Sequence, residues 1–370
     1  MLNTLIWAAL IQGLLLGLLY LFSKKYESRA NRLLGGFLIS LIIEGTSIFI
    51  PYDYIGSYSI NYYFTTPEVK LFFPLFFVHF VLEKVGQSAR YQRFLKIHYG
   101  IGVGVMGITL INIFVFLFNG LQLHEYVPVE LVEALFMGQQ WYAFLMSIVA
   151  FTIAIIETRA YRKKVENEFS DYTMLEIQWL WQFIFIIFPV ILLWGAELVR
   201  IFMGGTGGSD IVLASWGMLT LFIYFVSYKA FRHQNLFENK VIESQSIAED
   251  ISAEPTQTDH PDLSEKINSL MEEGKYYLNQ ELTIYDLARE MNLSPRLISS
   301  CVNGNLGVNF SEWVNNYRVD EALKILEDAD KNYLSIEGVG AEAGFKSRSA
   351  MYTAFKKKTG FPPGHFRENV

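Results

Sequence analysis

The stretch GFKSRSAMYTAFKKKTGFPP, residues 344–363, gathers Lys346, Arg348, Lys356, Lys357 and Lys358 around Ser347, Tyr352 and Thr353, with Arg367 just beyond. At helical spacing, guanidinium, amine and hydroxyl groups can pair with base edges, and lysines with phosphates. The chemistry offered is recognition of double-stranded DNA. Ser347, Arg348, Tyr352 and Lys356 would face bases, and Lys357 and Lys358 phosphates. Taken alone, the lysine run reads better as a solvated helix end, whose partial negative charge it would complement; its place in a duplicated motif favours DNA. A second polar set, Arg296, Ser299, Ser300 and Asn303, recurs upstream in PRLISSCVN, where Leu297, Ile298 and Cys301 fall on the opposite side of a helix.

Catalytic chemistry finds no such support. The single cysteine, Cys301, excludes an intrachain disulfide or a multi-cysteine metal site, and the six histidines lack HxxxH spacing. Neither GxSxG nor HExxH occurs, and GGTGGSD at 204–210 has no lysine after it to make a phosphate loop. No enzyme activity, metal or cofactor is expected. Glu44, His79 and Glu197 are ionisable residues inside apolar runs, and such groups mark functional sites or simply pair within a helix bundle. Glu44 and Glu197 are the candidates for a ligand pocket.

The DNA-reading residues need helices to carry them, and the helix signals are legible. Thr283 with Asp286 has the spacing of a capping box opening TIYDLAREMN, and Ser294-Pro295 supplies an N-cap and a first-turn proline to the next helix. The pattern repeats after FSEWVNNYRVDEALKILEDA: Ser335 opens SIEGVGAEAG, Gly344 ends it, Phe345 enters the core and Ser347 caps the basic helix. Two helix-turn-helix units joined by one long helix can each place a second helix in a major groove.

These motifs resemble the DNA-binding domain of AraC-type transcription regulators over roughly 280–367, about a quarter of the chain. AGF, FKKKTG and the following proline and arginine fall in the order and spacing of that family. The sequence departs from it at Val302, Met351 and Thr353, so the resemblance implies the fold more firmly than any base preference. Acidic residues slightly outnumber basic ones beyond Asp262, but the positive charge is concentrated in the second unit.

The rest of the chain is greasy: 52% of all residues are hydrophobic and the mean hydropathy is +0.25. Apolar runs at 2–22, 33–50, 69–83, 99–118, 135–156, 179–199 and 211–228 predict seven membrane spans, the third being short and interrupted by Pro74. Lysines and arginines crowd the loops after the odd-numbered spans, which puts the N-terminus outside and everything after 229 in the cytoplasm. The first run lacks a basic start and is too long for a cleaved signal, so it stays as a span. The loop PYDYIGSYSINYYFTTPE reads as an aromatic belt or a ligand lid.

The expected fold class is all-α: a seven-helix transmembrane bundle at 1–228, an acidic linker or signalling helix at 229–261, and a cytoplasmic double helix-turn-helix domain at 262–370. The expected function is a one-component regulator in the bacterial cytoplasmic membrane that senses a stimulus and binds promoter DNA as a homodimer. Its partners would be duplex DNA, membrane lipid and a small-molecule or envelope stimulus. A transporter with a regulatory tail, or a regulator released from the membrane by proteolysis, are the alternatives.

Overall fold

The computed structural model describes residues 2–46, 54–55, 58–59, 67–119, 127–170, 177–205, 210–232 and 261–367. Most of the tyrosine-rich loop and all of the junction from 233 to 260 lie outside the described residues. The chain divides into two compact units, one of residues 1–158 with 179–241 and one of 159–178 with 242–370. The described residues are overwhelmingly helical. Tyr54–Ile55 and Tyr58–Ser59 form a two-residue antiparallel ribbon.

Seven helices fall at the apolar runs: α1 (Leu2–Phe22), α2 (Arg29–Thr46), α3 (Phe72–Lys84), α4 (Gln92–Asn119), α5 (Val129–Glu168), α6 (Ile177–Phe202) and α7 (Asp210–Arg232). Five of them, α1, α4, α5, α6 and α7, are long and apolar enough to cross a membrane. The other two expected spans do not reach that standard. The 13 residues of α3 extend about 20 Å, short of a hydrocarbon core of about 30 Å. Helix α2 carries Arg29, Arg32 and Glu44 within its 18 residues.

Close packing explains why these shorter helices belong to the bundle. A Cβ on Gly35 of α2 would lie 3.0 Å from the Gly17 carbonyl oxygen of α1, so the two backbones approach through glycine. Helix α3 buries residues on nearly every side, from Phe72 to Leu82. Its Phe77 stacks on Phe183 of α6 at 5.5 Å, and Phe183 meets Phe222 of α7 at 5.4 Å. Phe37 of α2 meets the same Phe222 edge-on at 5.6 Å, completing an aromatic centre. By contrast α4 exposes Ile108, Ile111, Phe114, Leu117 and Phe118, an apolar surface better suited to lipid than to water.

The second unit contains α8 (Pro261–Gly274), α9 (Ile284–Met291), α10 (Pro295–Asn305), α11 (Phe310–Glu327), α12 (Ile336–Glu342), α13 (Arg348–Thr359) and α14 (Gly364–Arg367). It has two cores, and α11 serves both. Phe310, Trp313 and Val314 enter the first with Met271, Leu287, Ile298 and Val302. Val319, Ala322, Ile325 and Leu326 enter the second with Val339, Phe345, Met351 and Phe355. One continuous helix therefore fixes the spacing of the two halves.

Candidate nucleic-acid interface

Each half is a helix-turn-helix built by capping. Thr283 and Asp286 form the reciprocal capping box: the Thr283 N–H donates to Asp286 Oδ2 at 2.9 Å and the Asp286 N–H to Thr283 Oγ1 at 3.3 Å. Asn292 ends α9 in the left-handed region at φ 53°, a conformation asparagine tolerates. Ser294 Oγ then accepts from the Leu297 N–H at 3.2 Å and starts α10. Ile298, Cys301 and Val302 go into the core. Arg296, Ser300 and Asn303 are exposed and Ser299 is half-buried on the other side, as the periodicity predicts. Asn303 Nδ2 donates back to the Ser299 carbonyl at 2.7 Å.

The second half repeats the plan. Ser335 Oγ accepts from the Gly338 N–H at 3.0 Å, and Gly344 supplies the turn at φ 89°. Ser347 Oγ accepts from the Ala350 N–H at 3.2 Å, which commits this hydroxyl to capping α13. Ala350, Met351 and Phe355 are buried. At 3.6 residues per turn, Arg348, Ser349, Tyr352, Thr353 and Lys356 share the opposite side. Arg348, Ser349, Thr353 and Lys356 are exposed and Tyr352 half-buried.

The ion pairs sort the cations by direction. Arg348 Nη1 lies 2.6 Å from Glu337, and its guanidinium sits 5.0 Å from the Tyr352 ring centre. Lys357 Nζ pairs with Glu312 at 2.5 Å, and Lys358 pairs with Asp320 and donates to the Asn316 carbonyl at 2.9 Å. Both lysines thus turn toward α11, and Lys346 turns toward Glu281. Such surface pairs are worth at most about 1 kcal/mol and exchange readily for a phosphate. Arg367 is half-buried in α14. Ser349 joins the outward set although it was not singled out from sequence; the helical wheel alone carries that signal.

The membrane-helix candidates are each engaged. Glu44 Oε1 is 3.2 Å from Lys70 Nζ, and Glu197 accepts from Arg200 Nε at 2.9 Å and Nη2 at 2.6 Å. The two carboxylates are held by different cations. Glu68, buried, accepts from the Lys70 N–H at 2.8 Å, while its own N–H donates to Thr109 Oγ1 at 3.0 Å. His79 Nδ1 lies 3.2 Å from the Tyr99 hydroxyl. Among the described residues no group of three metal-ligating side chains comes together.

Residues 287–369 match the family model of a helix-turn-helix domain. An uncharacterized HTH-type transcriptional regulator of Bacillus subtilis (strain 168), YtdP, is 30% identical over 88 residues, 24% of this chain and 11% of that protein. A second from the same strain, YfiF, is 34% identical over 90 residues, 24% of this chain and 27% of its own. The melibiose operon regulatory protein of Escherichia coli (strain K12) is 28% identical over 90 residues, 24% of this chain and 29% of its own. The chain therefore spans less than a third of the length of these relatives. They are regulators by name, not enzymes. No solved structure matches the chain. The C-terminal residues carry a helix-turn-helix domain of the AraC type.

Proposed function

We propose that this chain is a membrane-embedded transcription regulator whose C-terminal domain reads duplex DNA in the cytoplasm while its N-terminal helices receive a stimulus. The observation that carries this reading is the occurrence, on one chain, of five membrane-length helices and a doubled, fully capped helix-turn-helix. Arg296, Ser299, Ser300 and Asn303 serve the first groove. Arg348, Tyr352, Thr353 and Lys356 serve the second, with the cap Ser347 bringing the α13 N-terminus to the DNA. Lys357, Lys358 and Arg367 meet phosphates, the two lysines by leaving their α11 partners.

Seven helices spanning the bacterial cytoplasmic membrane, with the N-terminus outside, keep the basic loops inside. In this topology α2 and α3 are inner members shielded from lipid by their neighbours, the chain entering α3 at 67–71 making up the length its 13 residues lack. Residues 1–228 form the sensor, 229–261 the junction and 262–370 the reader, and two copies bind adjacent DNA sites as a homodimer. The stimulus acts near Glu44, where Lys70 bridges two carboxylates in the outer half, and Glu197 forms a second polar point there.

The test is a genome-wide map of DNA bound by the tagged full-length protein, combined with topology reporters at Val370. Discrete bound sites and a cytoplasmic reporter are expected. A membrane-resident protein with no enriched DNA, or a reporter active outside, overturns the reading.

A further inference from the structure

The unit that carries the reader also contains residues 159–178, the end of α5 and the segment after it. Ser170 in this segment is only 1% exposed. Its N–H donates to the Leu282 carbonyl at 3.2 Å, and its carbonyl accepts from Ser311 Oγ at 2.9 Å and Asn315 Nδ2 at 3.2 Å. Its hydroxyl accepts from Arg318 Nη2 at 3.0 Å. Phe169 pairs with Thr283 as an isolated antiparallel bridge. Every polar group of Ser170 is thereby used by the segment before α9 or by the first half of α11. Such complete satisfaction of a buried residue marks a fitted docking site rather than a chance approach.

The docked segment lies where DNA has to come. Asn303, on the outward side of α10, donates to Asn167 Oδ1 at 3.4 Å. Glu168 is hydrogen-bonded to Tyr285 in the first turn of α9, so a carboxylate stands at the helix that crosses the phosphate backbone in this motif. Lys164 is the nearby cation acting on it.

We infer that Asn167–Ser170 is an intramolecular strap which, when docked, blocks the first reading helix from DNA, so that the stimulus reaches the reader through α5. The inference rests on the DNA-reading function proposed above. Helix α5 runs unbroken from Val129 to Glu168 and leads straight into the strap. A docked strap leaves the outward side of α13 open, which gives weak binding through one half; release engages both. The partner for the notch formed by Leu282, Ser311, Asn315 and Arg318 is this segment of the same chain.

Phe169→Cys with Thr283→Cys in the full chain, held in lipid nanodiscs, tests the strap. Paired antiparallel residues lie about 4.5–5.5 Å apart at Cα, inside the range a disulfide spans, and the native Cys301 is buried. Duplex DNA is selected from a random pool by the reduced protein. Oxidised protein, its cross-link verified by mass spectrometry, is expected to bind that duplex at least tenfold more weakly, with affinity restored by reductant. Equal affinity in the two redox states overturns the strap. Thr283 caps α9, so a second variant avoids it: Asn167→Ala with Glu168→Ala should bind at least threefold more tightly than the wild type, and unchanged affinity counts against the inference. A reduced protein that binds no duplex at all removes the DNA-reading function and the strap's role with it, a result distinct from equal binding in both states.

Discussion

Arg318 and Ser170 stand 148 positions apart in the chain and meet in a hydrogen bond of 3.0 Å from Nη2 to Oγ. Arg318 is fully buried, which a guanidinium tolerates only when its donors are satisfied. Nε donates to the Tyr277 carbonyl at 2.8 Å, Nη2 to the Asn279 carbonyl at 2.8 Å, and Nη1 to Asn315 Oδ1 at 3.2 Å. Its charge centre also lies 5.9 Å from the Phe345 ring, the plug of the second half. One side chain thus ties the strap, the loop before α9 and the second helix-turn-helix together.

Replacing it should be costly. Arg318→Met keeps the volume but leaves the Tyr277 and Asn279 carbonyls without their donor. Hydrogen bonds to charged groups contribute about 1.5–3 kcal/mol each, so the second unit should lose more than about 3 kcal/mol. Hydrogen exchange along α11 reads this directly, as a fall in protection of roughly a hundredfold or more. Protection unchanged in the variant would show that the network adds little.

Gly344 and Gly340 separate two kinds of close approach. Gly344 has φ 89°, and a Cβ there would stand 2.3 Å from the Tyr277 carbonyl oxygen. Gly344→Ala combines backbone strain with a clash against backbone, and should destabilise the unit by about 2 kcal/mol or more. At Gly340 a Cβ would meet Met351 Sδ at 2.7 Å, a flexible side chain that can shift. Gly340→Ala should therefore cost less, and reversal of this order in hydrogen exchange would refute the packing argument.

The cations of α13 divide by the direction they face. Arg348→Ala should cost about 1–3 kcal/mol on one preferred base position, whereas Lys357→Ala should weaken all sequences alike and lower the salt slope by about 1. The effect at Lys357 is reduced because its ammonium must first leave Glu312. Titrations of the selected duplex and of single-base variants over a range of salt decide this; a base-specific effect at Lys357 would contradict it.

The caps and turns of the reader were legible because their signals are local. Thr283 with Asp286, Ser294 with Pro295, Ser335, Gly344 and Ser347 each act within a few residues of where they stand, and each does what its spacing predicts. The bundle was legible to the extent that hydropathy counts apolar residues. Hydropathy could not separate α3, a short helix enclosed by aromatic neighbours, from one that faces lipid, since both read as phenylalanine and leucine. Arg318 was passed over because a buried arginine in YRVDEAL looks like a solvated one until its distant acceptors are known. Nothing near Ser170 announces that its partners begin at Leu282.

The strap has a pH dependence whose sign follows from Glu168. Burial raises its carboxyl above the usual carboxylate value, outweighing the lowering by Lys164 and by the hydrogen bond from Tyr285. The docked state then binds a proton more readily than the released one, so docking strengthens as pH falls and weakens as pH rises through the raised value. DNA affinity of the wild type should drop more on acidification than that of Glu168→Gln, measured at constant salt. Parallel pH profiles for the two proteins would remove Glu168 from the switch.

The central claim is that one chain both resides in the membrane and reads DNA through two outward helix faces. The most direct measurement is selection of duplexes from a random pool by the full-length protein in lipid nanodiscs, alongside a variant carrying Arg296→Ala and Arg348→Ala. The account predicts a recurring bipartite sequence with its two parts about one helical turn apart, bound with steep salt dependence, and loss of that enrichment in the variant. A wild-type protein that enriches no sequence, or a variant that enriches the same one, would contradict it.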